Sequence, residues 1–383
     1  MAAENPFVYG EVVPPNAFVG RGVELERLTT DLASSQKVFL ISPRRYGKSS
    51  LVHQACTALQ RRRIQTLEFT VSSFSSYVAF LEGYARALVN LDARQPATPS
   101  WLTALFPSVR PEVRDERGRR GGAVSLAFPA IRTPRDAARL ADEVFSLPAR
   151  LAERLNRRLV IALDEFQALT GFDGGSVEEA LRAAVQQQRQ VGYVFAGSEP
   201  RLMEQMIGPR RPFYKAGPVM RLQKIAAEVF ARFIEDRFKA SGITPKHGLG
   251  AAVVDLAGNL PYDVQRLAHE TWDDVFSARR KRADLDDLHA TLHRLLAEHD
   301  MLFETVWQRQ TLPQRSVLRA VVIEHGVSLL ATDTRDRHRL GGASTVQAAL
   351  AALQREDLIA REDDGRYVVV DSLMREWIAR RTY

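Results

Sequence analysis

The sequence has one cysteine, Cys56, among 383 residues. No disulfide can therefore close within the chain, which predicts a reducing compartment. No apolar run approaches the roughly 18 residues that a membrane-spanning helix requires. The first ten residues, MAAENPFVYG, lack the basic stretch and apolar core of a secretory signal. Together these absences predict a cytoplasmic protein with no membrane partner. Cys56 itself is spaced with Val52 and Leu59 on one helical face, which predicts a buried structural thiol and not a nucleophile.

What is present is the composition of a globular protein, 45% hydrophobic and 26% charged, long enough for two or three cores. The formal net charge is +7, mostly from arginine. Positive residues gather at 61–63, at 110–120, and at Arg154, Arg157 and Arg158. Such knots are either nucleic-acid contacts or solvated arginines.

Short β-branched or aromatic runs occur at 37–42, 64–72, 158–166, 191–198 and 219–225. Amphipathic stretches at 48–60, 76–90, 136–156 and 177–190 alternate with them. Such alternation predicts an α/β fold, a parallel sheet with helices on both faces. Residues 105–130 interrupt it and are read as an inserted β-hairpin. Beyond about 225 the pattern is helical, with Leu285, Leu288, Leu292, Leu295 and Leu296 as one stripe, and a helical lid is expected over 226–300. His289 and His293 flank that stripe and are read as helix surface, since no third metal ligand is evident. From 301 to 383 a helix at about 313–325, a polar loop, a second helix capped by Ser344, and a strand–turn–strand around Asp363–Asp364–Gly365 predict a winged helix. The nucleotide-binding core is thus expected over 1–225.

The segment FLISPRRYGKSSLV (39–52) is a strand, a turn and a helix start. It fits the phosphate-loop pattern G-x-x-x-x-G-K-[ST] except that Ser42 stands at the first glycine position. Ser42, Pro43, Arg44, Arg45, Tyr46, Gly47, Lys48, Ser49 and Ser50 are the expected phosphate cradle. In such a loop backbone N–H groups converge on phosphate oxygens, the lysine reaches the outer phosphates, and the hydroxyl, here Ser49, binds Mg2+. The first position demands chiefly a small residue, so Ser42 is compatible with binding. The strand LVIALDEF (159–166) ends in Asp164 and Glu165, where an open α/β sheet places its ligands. Asp164 is expected to hold Mg2+, and Glu165 to orient and deprotonate the attacking water. Ser198, at the end of VFAGS, is a candidate γ-phosphate sensor.

Several stretches, in this order, resemble the archaeal-type ATPases, a P-loop family related to AAA+ and STAND NTPases. They are NPFVYG (5–10), FVGRGVELERL (18–28), SPRRYGKSSLV (42–52), LDEFQAL (163–169), AGSEPRLM (196–203), RPFY (211–214) and GNLPYDVQRLA (258–268). The resemblance covers nearly all of the chain to about 300, and the family usually carries a C-terminal winged helix. It implies that Val19, Gly20 and Arg21 lie near the adenine and that Pro261 lies against the base or ribose. It also implies an arginine supplied to a neighbouring subunit's site, with Arg211 the first candidate and Arg201 the second. Two departures are Ser42 and the segment FYKAGP, which lacks the Gly-Arg pair that commonly follows this region.

These readings predict Mg2+-dependent ATP binding and hydrolysis to ADP, in a protein that is a homo-oligomer at least when ATP-bound. The hydrolysis would drive a conformational or oligomeric switch with a protein partner at the winged helix. The alternative is an ATP-dependent DNA-binding protein resembling replication initiators or transposition helper ATPases. Residues 301–383 hold 12 arginines, no lysine and 11 acidic residues. In the expected recognition helix Arg355 is followed at once by Glu356 and Asp357. Duplex affinity rests on positive groups facing phosphates, so a protein partner is the favoured reading. A third reading keeps the nucleotide as a structural ligand, and Glu165 argues against it.

Overall fold

The computed structural model describes residues 4–91, 105–107, 112–115, 124–128, 131, 133–172, 176–362 and 364–381. Packing divides the chain into two units, residues 21–223 and residues 1–20 with 224–383.

The strands of the first unit are, in chain order, β1 (Lys37–Ile41), β2 (Gln65–Thr70), β3 (Glu112–Asp115), β4 (Val124–Ala127), β5 (Leu159–Asp164), β6 (Val191–Gly197) and β7 (Val219–Arg221). Five of them form a parallel sheet in the order β2-β5-β6-β1-β7. Strand side chains alternate between faces, and here both faces are apolar. Phe39, Ile41, Ile161, Leu163, Tyr193 and Phe195 point into the larger core with helices Tyr77–Val89 and Pro134–Leu155. Val38, Leu40, Val160, Ala162, Val194 and Ala196 are buried on the other face, where helices Gly22–Ala33 and Lys48–Arg61 pack. Burial on both sides is why these strands read as continuous apolar runs. Cys56 is buried on helix Lys48–Arg61, and burial pushes its thiol up to about 12. Strands β3 and β4 pair antiparallel, as the expected hairpin requires; its turn lies outside the described residues.

The second unit is mainly helical, with helices Ala227–Ala240, Leu249–Leu256, Pro261–Ser277 and Leu285–Arg309. It also contains a two-residue parallel pair, β8 (Thr244–Pro245) with β9 (Arg282–Ala283), in a region expected to be free of strands. Next come helices Leu312–Ile323, Thr332–Arg337 and Ala343–Arg355, the antiparallel pair β10 (Ile359–Arg361) and β11 (Tyr367–Val369), and helix Ser372–Arg380.

Several expectations are corrected. Residues 1–20, assigned to the nucleotide-binding core from sequence, belong to the second unit. Phe7 is buried there against Phe238, Asn5 donates to the His269 carbonyl and to Asp273, and the Tyr9 hydroxyl donates to Glu270 at 2.7 Å. Helix Leu285–Arg309 runs through the boundary expected at 300–301 without displacing it. Its leucine stripe continues as Phe303 and Trp307, which pack against Trp377. The polar loop before the last long helix contains the short helix Thr332–Arg337. The cap of helix Ala343–Arg355 is Gly342, and Ser344 lies within the first turn. His293 Nδ1 lies 2.7 Å from Arg380 Nη1. Among the described residues no group of three or more His, Cys, Asp and Glu is placed to hold a metal.

Candidate nucleotide site

Three loops meet at the C-terminal edge of the sheet, after β1, β5 and β6. Strand β6 lies between β1 and β5, so the residue following it, Ser198, lies between the other two loops. This crevice is where parallel α/β sheets bind ligands.

The loop after β1 takes two left-handed residues, Arg45 (φ 68°) and Gly47 (φ 83°). Gly47 caps helix Lys48–Arg61 without a side-chain hydrogen bond, and a Cβ built on it meets nothing within 4 Å. The first-turn N–H groups of a helix have no intrahelical acceptor and carry its positive dipole end. A helix start of this kind, with room beside its glycine cap, suits an anion. Ser42 is absent from the left-handed residues, so its position does not need glycine. Its N–H donates to the Gly197 carbonyl at 3.2 Å, and its buried hydroxyl donates to the Pro43 carbonyl at 3.1 Å.

The loop after β5 depends on a backbone reversal. Successive strand residues would send Asp164 and Glu165 to opposite faces. Glu165 instead adopts φ 51°, ψ 44° and heads the 3-10 turn Phe166–Gly171. A non-glycine residue in that region costs about 1–3 kcal/mol. The turn is anchored by Phe166, which is fully buried among Phe39, Phe195 and Phe213, with its ring centroid 4.5 Å from that of Phe195. The reversal brings both carboxylates to one cation. Lys48, 6% exposed, contacts Asp164 Oδ1 and lies 3.5 Å from Glu165 Oε1. Ser49 Oγ donates to Asp164 Oδ2 at 2.9 Å.

A serine hydroxyl beside one carboxylate is a sparse, hard-oxygen donor set. It suits Mg2+, which keeps several waters and takes its remaining ligands from substrate phosphates.

The loop after β6 completes the site. Ser198 Oγ donates to Glu165 Oε2 at 2.5 Å. Gly197 is needed for close approach, since a Cβ there would collide with the side chains of Met203 and Gln167. Gln167, which sequence reasoning missed, donates from Nε2 to Glu165 Oε2 at 2.6 Å. Its one signal was a polar residue between Phe166 and Leu169 at a position that proves 4% exposed.

Residues 301–380 match a family model described as a probable winged helix domain. No curated protein matches the sequence. Among solved structures the chain is similar to the Walker-type ATPase paby2304 of Pyrococcus abyssi, at 16% identity and TM-score 0.60, covering 96% of this chain and 99% of that one. It is also similar to the Aeropyrum pernix ORC1 protein in complex with DNA, at 13% identity and TM-score 0.54, covering 97% and 96% of the two chains. The Aeropyrum pernix ORC2 protein, solved as ADPNP–ADP complexes, matches at 12% identity and TM-score 0.52, covering 100% and 98%. The chain has the P-loop NTPase fold with a C-terminal winged helix.

Within the P-loop unit the other expected residues take different places. The Arg21 guanidinium, expected near the adenine, is 3% exposed and donates to the carbonyls of Tyr46 at 3.1 Å and Gln223 at 2.6 Å, with Glu24 at 2.9 Å. It braces the phosphate loop against the chain leaving β7. Arg211 Nη2 lies 2.7 Å from Glu178 Oε1. Glu178 is 1% exposed, and burial raises its pKa against the opposing pull of Arg211. Arg201 lies on the short helix Pro200–Met206. Val19, Gly20 and Pro261 belong to the second unit. Gly20 (φ 67°) is pressed against Ile225, and Pro261 occupies the first turn of helix Pro261–Ser277.

Proposed function

We propose that the protein binds ATP and hydrolyses it to ADP and phosphate in the crevice at the ends of β1, β5 and β6. The observation that carries this reading is the convergence of Lys48 and Ser49 on Asp164 and Glu165. The first-turn amides and Lys48 bind the phosphates, exchanging the carboxylates that Lys48 now contacts for phosphate oxygens. Ser49 and Asp164 hold Mg2+, which supplies charge neutralisation to the phosphates. Glu165 orients a water and accepts its proton while the water oxygen bonds to the γ-phosphorus and the bond to ADP breaks. Ser198 holds Glu165 by its hydroxyl. Arg211 of a neighbouring copy, or Arg201, supplies positive charge to the reaction in an ATP-bound homo-oligomer.

Turnover of this kind would reset the helical unit, and with it the winged helix that engages a protein partner. The near balance of arginine and acidic residues in 301–383 supports a protein over a duplex. A DNA-linked role is the second reading, favoured by the likeness in fold to a protein solved with DNA.

The test is phosphate release and ATP affinity in the wild type, Lys48→Ala and Glu165→Gln. Lys48→Ala should weaken ATP binding at least about tenfold. Glu165→Gln should retain ATP while turnover falls about 10²- to 10⁴-fold. Unchanged phosphate release in Glu165→Gln would remove that residue from the mechanism. Light scattering with ATP and with ADP tests the oligomer. Stimulation of turnover by DNA at modest salt would favour the second reading.

A further inference from the structure

Glu165 Oε2 accepts two hydrogen bonds, from Ser198 Oγ at 2.5 Å and from Gln167 Nε2 at 2.6 Å. Its other oxygen, Oε1, is the one turned toward Lys48, at 3.5 Å. One face of the carboxylate is therefore held by the protein, and the other faces the lysine expected on the phosphates. Glu165 needs holding, because its left-handed turn replaces the strand pairing that fixes Asp164.

The Gln167 amide has a definite orientation. If its oxygen and nitrogen were exchanged, a carbonyl would face a carboxylate at hydrogen-bond distance, and two acceptors repel. Gln167 Nε2 also reaches Ser198 Oγ at 3.4 Å and Glu199 Oε1 at 3.5 Å, longer contacts that complete a small network around Glu165. The amide oxygen of Gln167, in contrast, is buried with no partner. A side chain serving only to fill space would be apolar there, since a buried orphan carbonyl is unfavourable. The polar end of Gln167 is thus explained by what its NH2 group holds.

We infer that Gln167 is a positioning residue for hydrolysis, fixing Glu165 through Oε2 so that Oε1 is presented to the attacking water. This inference rests on the hydrolytic reading above. It assigns Gln167 no contact with nucleotide.

The experiment uses the full chain with Gln167→Leu, which keeps volume without the donor, and Gln167→Glu, which places a second carboxylate against the first. ATP affinity, kcat and KM are measured for each, together with Glu165→Gln and the double variant Glu165→Gln/Gln167→Leu. Thermal unfolding of all four variants confirms that they are folded. Gln167→Leu should lower kcat about tenfold or more with ATP affinity unchanged within about twofold, and Gln167→Glu should lower it further. In the Glu165→Gln background the leucine substitution should produce no further loss, because the group it acts through is already gone. Wild-type kcat in Gln167→Leu, or an equal fold-loss with and without Glu165, would overturn the inference while leaving hydrolysis intact. No turnover in ATP-bound wild type would overturn the hydrolytic reading and this one with it.

Discussion

Ser49 Oγ and Asp164 Oδ2 are joined by a 2.9 Å hydrogen bond although 115 residues separate them in the chain. One residue lies in the first turn of the helix after β1 and the other closes β5, and the strand between them, β6, sets their spacing. The pair is the meeting point of the phosphate loop and the acidic strand end.

Ser49→Ala should separate metal-dependent from metal-independent binding. If Ser49 and Asp164 hold Mg2+ as proposed, affinity for ATP with Mg2+ should fall about tenfold, toward the value in EDTA, because one of the two protein oxygens is lost. Binding measured in EDTA should change little. Nucleotide titration with and without Mg2+ reads the difference, and equal losses in both conditions would remove Ser49 from the metal site.

Ser42→Gly restores the common first residue of the loop. Ser42 has no left-handed torsion, and its hydroxyl is satisfied locally by the Pro43 carbonyl. The substitution should therefore leave ATP affinity within about threefold, and stability should drop by about 0.5–1 kcal/mol from the added freedom of the unfolded chain. A large gain in affinity would show that the serine distorts the cradle.

Arg211→Ala tests a charge with two possible employments. Within the chain it partners Glu178, which is nearly fully buried. Removing it strands that carboxylate and should cost about 1–3 kcal/mol, less than for a fully buried pair because Arg211 is 43% exposed. The loss should shrink as pH falls, because burial raises the Glu178 pKa and the neutral carboxyl needs no cation. Adding Glu178→Gln should recover stability. If turnover stays low in the refolded double variant, Arg211 acts in the reaction; if it recovers, the arginine is structural.

Cys56 predicts a pH dependence. Unfolded, the thiol ionises near about 8.5; folded, burial pushes it up to about 12. Between these values the unfolded chain loses a proton that the folded chain keeps. The contribution of Cys56 to stability is therefore complete below the lower value and declines as pH rises through the window. Urea unfolding at pH 7 and pH 9.5 should show a smaller decline in Cys56→Ala than in the wild type. Thiol reagents should modify Cys56 only on unfolding.

The sheet and its strand ends were legible because burial on both faces writes itself as uninterrupted apolar runs. That Lys48 and Ser49 would meet Asp164 and Glu165 was legible because the phosphate-loop pattern and the acidic strand end each fix residue type and spacing locally. Part of what escaped reading depends on partners far along the chain. Nothing in NPFVYG says that Phe7 will meet Phe238, and nothing in FVGR says that Arg21 will grip the carbonyls of Tyr46 and Gln223. Helix Thr332–Arg337 has too few apolar residues to show a period. Gln167 escaped because its meaning follows from the torsion of Glu165, which no side-chain pattern announces.

Helix Leu285–Arg309 carries lid packing at one end, through Leu288 and Leu292, and winged-helix packing at the other, through Phe303 and Trp307. Its 25 residues make a rod about 37 Å long at 1.5 Å per residue. The two packing layers therefore share one unbroken helix inside a single core, so neither can slide along it without the other.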